Sequence, residues 1–184
     1  MARAVLSSPT RAVAAALIAL SAAHEPAQAA GVNCALPATA APSLAAAFPA
    51  LKQAAEKSAF FSWANKHFGA PAACEASIDH DSVVISYAFA KSAKLTMKSN
   101  PESELNVQRL ELPDAADVDA EPLLRAQEKS SAGQDGCGID WNKPRRATGP
   151  SGPVTTFVGD VCNCQARIEM NSGHVRALEL KSAC

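Results

Sequence analysis

The chain has 184 residues, and its 17 Lys and Arg residues nearly balance its 18 Asp and Glu residues, so the formal net charge is −1 at pH 7. A protein that binds nucleic acid needs an excess or a patch of positive charge, and this balance argues against that class of partner. The length of the chain is sufficient for one domain with a buried core.

The first 29 residues have the features of a bacterial export signal. Arg3 and Arg11 supply positive charge, Ala12–Ala23 is apolar and contains no acidic residue, and Ala27-Gln28-Ala29 fits the small-x-small cleavage pattern. The apolar stretch is too short to span a bilayer, and the residues before the first cysteine do not fit a lipid-anchoring signal. The sequence therefore predicts a periplasmic or secreted protein without a membrane anchor. The alternative is an amphipathic helix at the start of a cytosolic domain.

Apolar residues recur at helical spacing between Leu51 and Phe68, and Gly69 follows as a residue that ends helices. This pattern predicts a well-buried first helix. Pro49 suits the first turn of this helix, although it also suits a break between two short helices. A second, shorter helix is predicted after Asp119, which is a favourable residue immediately before a helix.

Strand signals with a period of two residues follow the first helix. From Val83 to Met97 apolar residues alternate with polar ones. Lys91 interrupts the alternation and is interpreted as a bulge or a bend. Polar turns at 100–104 and 171–173 predict two hairpins.

Three short blocks of the chain recur in the same order at nearly constant spacing. The matched blocks are 54–59 with 126–131, 93–99 with 166–172, and 107–112 with 175–180, at offsets of 72, 73 and 68 residues. We interpret them as two repeats, about 43–112 and 117–184, within a single domain that spans 30–184. The expected fold class is α+β, with two tandem α-β-β units that form one antiparallel sheet of about four strands. Helices cover one face of this sheet, and disulfides staple it.

All six cysteines follow the predicted signal, and an even number in an oxidising compartment favours three disulfides. Residues two apart on a strand are separated by roughly 6.5 Å, near the upper limit that a disulfide accepts, so Cys162 and Cys164 are expected to bond to other partners. The predicted pairs are Cys34–Cys74, Cys137–Cys164 and Cys162–Cys184. The alternatives are a thiol-redox pair and a metal site of Cys137, Cys162, Cys164 and His174. The mid-strand sulfurs argue against the first, and the distance to His174 argues against the second.

No catalytic or cofactor-binding motif is recognisable, so we expect no cofactor, no metal and no enzymatic activity. Asp79-His80-Asp81-Ser82 combines carboxylates, an imidazole and a hydroxyl. Adjacent residues point apart, however, and catalytic groups normally come from separate segments, so a polar turn is the favoured interpretation. His67 lies near the end of the first helix, where a structural role is favoured.

The most suggestive segment is 141–153, a basic stretch rich in Gly and Pro that begins with a tryptophan. Loops on a rigid scaffold often carry function, and Trp and Arg are frequent interface anchors. We expect this loop to form a partner-binding surface with the uncovered sheet face, where period-two counting also places Phe157 and Val161. The candidate residues are Trp141, Lys143, Arg145, Arg146 and Phe157. The alternative is a solvated loop with Trp141 tucked into the core.

These observations predict an exported protein-binding module without catalytic activity, such as an inhibitor, an immunity-type protein or an envelope accessory protein. Its partner is then another protein. The layout resembles that of the secreted β-lactamase inhibitory proteins, which also duplicate a unit of helix and strands. That resemblance implies binding of an enzyme through the exposed sheet face. The alternatives are a carrier of a small apolar ligand and an enzyme without a recognisable motif.

Overall fold

The computed structural model describes residues 32–114, 116–131, 137–161 and 163–183. The predicted export signal, 1–29, lies outside the described residues. Cys162 and Cys184 also lie outside them, and with them the predicted Cys162–Cys184 disulfide.

The described ranges contain three α-helices, α1 (Pro42–Lys57), α2 (Ala59–Phe68) and α3 (Ala120–Ser131). The first predicted helix is divided at Ser58, whose Oγ accepts a hydrogen bond from the backbone N–H of Phe61 (3.1 Å) and so caps α2. Pro49 lies inside α1 and not at a break or in a first turn, because Pro42 already starts that helix. Within these ranges, no helix has the length and hydropathy needed to cross a membrane.

In the described part of the chain, eight strands form one antiparallel sheet in the order β1-β2-β3-β4-β8-β7-β6-β5. Their bounds are β1 Ala73–Asp79, β2 Ser82–Ala88, β3 Lys94–Asn100, β4 Leu105–Glu111, β5 Arg145–Gly149, β6 Gly152–Val158, β7 Gln165–Asn171 and β8 His174–Ala183. The central strands β4 and β8 are hydrogen-bonded to each other, and β1 and β5 are the two edges. The combination of helices with one antiparallel sheet confirms the α+β class.

The expected number of about four strands is wrong, because the chain reverses where we expected a bulge or a bend. The segment from Val83 to Met97 contains two strands, β2 and β3, joined by a 3-10 turn at Ala90–Ser92. Lys91 and Ser92 adopt positive φ angles of 58° and 66°. Such angles are uncommon for residues other than Gly, Asn and Asp, so the composition of this turn does not predict it. A similar reversal separates β6 from β7, and the edge strands β1 and β5 were not predicted.

The helices pack on the face of the sheet that carries the predicted core residues. Helix α1 contacts β2 and β3, and α3 contacts β8. The Tyr87 hydroxyl on β2 donates a hydrogen bond to Glu56 Oε1 of α1 (3.1 Å), and burial raises the pKa of Tyr87. The strand residues of this face that are at most 3% exposed include Val83, Ile85, Tyr87, Leu95, Met97, Leu110, Leu178 and Leu180. Period two therefore located the core-facing residues of β2 and β3 correctly.

A buried amide joins the helices to the sheet. Gln127 of α3 is fully buried, and its Oε1 accepts a hydrogen bond from the backbone N–H of Phe60 at the start of α2 (2.6 Å). Its Nε2 donates to Gln108 Oε1 of β4 and to Ser131 Oγ, while Ser131 Oγ donates to the same Gln108 oxygen. Because buried polar groups without partners are strongly unfavourable, this network fixes α2, α3 and β4 relative to one another.

Two disulfides are present among the described residues. Cys34 is bonded to Cys74, and Cys137 to Cys164, with Cα–Cα distances of 5.2 and 5.5 Å. These are two of the three predicted pairs. The first ties the segment before α1 to edge strand β1. The second ties the segment after α3 to the turn before β7.

Candidate protein-binding surface

The face of the sheet opposite the helices, which we call the open face, is crossed by a row of eight residues. Each residue of this row is the cross-strand partner of the next, so all of their side chains lie on the same face. In sheet order the row is Glu75, Ser86, Thr96, Arg109, Glu179, Arg167, Thr156 and Arg145. All eight of its members are charged or hydroxylic, and Ser86 Oγ and Thr96 Oγ1 are hydrogen-bonded to each other at 3.2 Å.

A charge cluster lies at the centre of the open face, where β4, β8 and β7 meet. Arg109 donates two hydrogen bonds to Glu169 (3.1 and 2.7 Å), one to Glu179 (3.1 Å) and one to Glu111 (3.3 Å). Arg167 forms a further ion pair with Glu169 at 3.3 Å. The side chains of Arg109 and Glu169 are only 24% and 14% exposed. These contacts hold the cluster in one arrangement, because each carboxylate is matched to a fixed guanidinium.

The electrostatics of the cluster follow from these hydrogen bonds. Those donated by Arg109 lower the pKa of Glu169 against the opposing effect of burial, and those accepted by Glu169 raise the pKa of Arg109. Both groups are therefore ionised at neutral pH. Oppositely charged groups that are already paired in the free protein offer a partner fixed hydrogen-bonding positions with little further loss of side-chain entropy.

A second row of the open face places apolar groups between charged ones. It consists of Ser77, Val84, Lys98, Val107, Lys181, Gln165 and Val158, again as successive cross-strand partners. The three valines are half-buried, and so are the two lysines. Lys98 also forms an ion pair with Asp79 at 2.6 Å. Aliphatic groups beside hydrogen-bonding groups are characteristic of partner surfaces.

Two candidate anchors are part of the packing of the second half of the chain. Trp141 is half-buried, its ring lies 4.9 Å from that of Phe157, and its Nε1 donates to Glu128 Oε2 of α3 (3.1 Å). The Arg125 guanidinium lies 4.8 Å from the centre of the Trp141 ring. The position of Trp141 therefore agrees with the alternative interpretation, in which this side chain packs against the core.

The predicted outward orientation of Phe157 is wrong, because Phe157 is only 4% exposed and belongs to the core. Phe157 and Ala166 are cross-strand partners and share the covered face. Counting alternate residues back from Ala166 passes through the turn between β6 and β7, which reverses the assignment of faces. Val161 in this turn is 46% exposed.

The segment 141–153 is largely a hairpin and not a loop, since it contains β5 and the start of β6. Arg145 and Arg146 are both exposed on β5. The Lys143 side chain is 85% exposed and forms an ion pair with Asp140 at 2.9 Å, which lowers the pKa of Asp140 and raises that of Lys143. Of the five candidates, the structure brings Trp141 and Phe157 into contact, whereas the side chains of the neighbouring Arg145 and Arg146 lie on opposite faces of β5.

The remaining polar candidates occupy turns and helix ends. Asp79-His80-Asp81-Ser82 forms the turn between β1 and β2, in which His80 has a positive φ of 52° and a hydrogen bond from Lys98 lowers the pKa of Asp79. His67 Nδ1 donates to the Trp63 carbonyl of the same helix at 2.8 Å. Within the part of the chain that the structure describes, no group of three His, Cys, Asp or Glu side chains could hold a metal ion.

The central charge cluster was not predicted from the sequence. Its members come from β4, β7 and β8, and the contact between Arg109 and Glu179 depends on the long-range pairing of β4 with β8. The charged residues occupy the alternate positions of these strands that carry polar side chains. No local pattern in the sequence, however, shows which strands are neighbours. No family model, curated protein or solved structure matches the chain.

Proposed function

We propose that the protein is an exported binding module that recognises another protein through its open face. The observation that carries this proposal is the pre-arranged charge cluster around Arg109, flanked by half-buried valines on a face that the helices do not cover. Such a mixture of fixed polar groups and apolar groups suits a protein surface better than bulk water.

The dimensions of the open face support this class of partner. Eight strands at a spacing of ~4.8 Å make a sheet roughly 34 Å wide, and all of them but β8 have five to seven residues, which makes the sheet roughly 20 Å long. The corresponding area of roughly 700 Å² approaches the ~800 Å² that each partner contributes to a standard protein–protein interface. A small-molecule site would instead be a concave pocket.

We also infer that the two halves of the chain are copies of one unit. The sequence matches relate Leu95 to Ile168 and Leu110 to Leu178. Leu95 pairs with Leu110 between β3 and β4, and Ile168 pairs with Leu178 between β7 and β8. In addition, Leu110 and Leu178 are direct partners across the centre of the sheet. A two-fold axis between two copies requires such pairing of equivalent residues, and it joins two four-strand units into one wide face.

The resemblance to the β-lactamase inhibitory proteins supports an inhibitory role in the same general terms. Those proteins duplicate a unit of helix and strands, and they use the exposed sheet face to bind an enzyme. The carrier alternative is less well supported, because tightly buried side chains such as Phe60, Leu95 and Leu124 fill the space between helices and sheet.

Capture of a partner by two matched variants tests the proposal. The mature protein is immobilised, exposed to a periplasmic extract of the producing bacterium, and the bound proteins are identified by mass spectrometry. Lys94→Glu with Lys181→Glu reverses two charges on the open face, whereas Lys57→Glu with Lys66→Glu makes the same change on the helices. We expect at least a tenfold loss of the captured protein for the first variant and no loss for the second. Equal capture by both variants, or no captured protein, contradicts the proposal.

A further inference from the structure

Within the described residues, edge strand β5 has an outer side that no other strand occupies. Among these residues it pairs only with β6, and no other backbone group in them is hydrogen-bonded to 145–149. All five residues have a backbone N–H, and four of the five are exposed. Pro144 and Pro150 bound the strand, so pairing along this edge is limited to its five residues.

Arg145 and Arg146 point to opposite faces of this edge. Arg145 is the partner of Thr156 and lies on the open face, whereas Arg146 is the partner of Thr155 and lies on the other face. Within the described part of the chain, neither guanidinium has a carboxylate within 4.0 Å. The neighbouring Lys143 differs in this respect, because it is paired with Asp140.

We propose that the β5 edge binds an extended, acidic segment of the partner protein as a ninth strand. Adjacent residues of an added strand also point to opposite faces, so two consecutive carboxylates lie beside Arg145 and Arg146 at the same time. The recognised chemistry is thus a pair of neighbouring Asp or Glu residues in a segment without proline. This inference rests on the proposed function, since it names the part of a protein partner that β5 would hold.

A second copy of this chain fits the edge less well. The carboxylates of the other edge strand, Glu75 and Asp79, are partners of Ser86 and Ser82 and lie on the same face. They can approach Arg145 but not Arg146. Pairing of β5 with another β5 brings four guanidinium groups near one another, which is the usual way in which charged edges prevent self-association. An acidic strand removes that repulsion.

Peptide binding to the full mature protein, with its disulfides intact, tests the inference. The probe is a fluorescent, end-capped peptide, Thr-Val-Thr-Asp-Glu-Thr-Val-Thr, and its control replaces Asp-Glu with Asn-Gln. Measured by fluorescence anisotropy at low salt, the dissociation constant should be at least tenfold lower for the acidic peptide. Arg145→Gln with Arg146→Gln should weaken acidic-peptide binding at least tenfold, while the matched charge loss Lys57→Gln with Lys66→Gln on the helices changes it less than twofold.

Backbone pairing is tested by two further peptides, in which the odd or the even backbone nitrogens are methylated. One of the two should lose binding at least tenfold, because an added strand bonds to the edge through alternate residues. Equal binding of the acidic and control peptides, equal effects of both double variants, or full binding of both methylated peptides overturns the inference. So does self-association through β5 in sedimentation experiments. If the peptide does not bind but capture still depends on Lys94 and Lys181, only the edge inference fails and the proposed function stands.

Discussion

The two halves of the chain form similar four-strand meanders, but the outer edge strands of the two meanders differ in how far they are covered. In the first half, edge strand β1 has Ala76 and Ile78 packed against the core, and Cys74 is bonded to Cys34. In the second half, edge strand β5 is exposed on both faces. The same arrangement of strands therefore ends in one edge that is covered on its helix side and one that is free.

The difference arises from the helical layer. The first half contributes α1 and α2, whereas the second contributes α3, and its residues 137–144 contain no helix. In that segment Ile139 is buried, and Trp141 packs on Phe157 and α3. This packing does not extend to β5, so Arg146 stays in solvent. A shorter helical layer thus exposes a strand edge without any change in the order of the strands.

The largest expected effect concerns the centre, where the two halves should be equivalent. Leu110→Ala and Leu178→Ala each remove a fully buried side chain at the junction of β4 and β8. Each should lower the free energy of unfolding by about 3 kcal/mol. Urea denaturation of both variants measures this. If the two losses differ by more than about 2 kcal/mol, the centre is not symmetric in energy, and the comparison of the halves fails there.

The next largest effect concerns the contact between the helices of the two halves. Gln127→Leu leaves the Phe60 N–H without its buried acceptor and removes one of the two hydrogen bonds that Gln108 Oε1 accepts. It should destabilise the fold by about 2–3 kcal/mol. Gln53→Leu on the exposed side of α1 is the matched control and should change stability by less than about 0.5 kcal/mol. Equal small changes for both variants would mean that the network does not hold α2 and α3 together.

Substitutions in the second half should distinguish a residue that stabilises the fold by packing from residues at the free edge strand β5 that do not. Trp141→Ala removes contacts with Phe157 and Arg125 and a hydrogen bond to Glu128, and should cost about 2 kcal/mol. Arg145→Ala with Arg146→Ala changes exposed side chains and should stay within about 0.5 kcal/mol of the wild type. Thermal denaturation distinguishes the two. An unfolded or strongly destabilised arginine variant would show that β5 is structural.

The smallest expected effect is a pH dependence of the central cluster. The pKa of Glu169 is lowered in the folded protein by hydrogen bonds from Arg109, so its contribution to stability is complete above its unfolded pKa and is lost as the pH falls through the folded value. The stability advantage of the wild type over Glu169→Gln should be about 1 kcal/mol at pH 7 and should shrink below about pH 4.5. Denaturant unfolding between pH 3 and 7 measures it. A constant difference would contradict the assignment.

Local patterns in the sequence were sufficient for part of this structure. Alternation placed Val83, Tyr87 and Leu95 in the core, because side chains alternate on any strand that is covered on one face. The composition of the turn at Lys91 and Ser92 does not indicate positive φ angles, so the chain reversal there was not predicted. The predicted number of strands was wrong for this reason. The assignment of faces carried across the turn between β6 and β7 failed, as the orientation of Phe157 shows, whereas the assignment carried across Lys91 and Ser92 held for Leu95.

The candidate surface was predictable only in outline. The open face was expected from polar parity, but the cluster around Arg109 depends on the neighbouring positions of β4, β8 and β7. The pairing of these strands brings together residues about 70 positions apart in the chain. No local pattern in the sequence indicates this pairing. The free edge at β5 was likewise hidden, because Gly149, Pro150 and Gly152 made the hairpin resemble a loop.

Lysine footprinting of a captured complex is the most direct test of the open face as the binding surface. Acetylation of lysines is quantified by mass spectrometry in the free protein and in the complex. Lys94, Lys98 and Lys181 lie on the open face, whereas Lys57, Lys66 and Lys129 lie on the helices. We predict that the first three become protected in the complex and that the other three react as in the free protein. Protection of the helix lysines with unchanged reactivity of the open-face lysines would contradict the account.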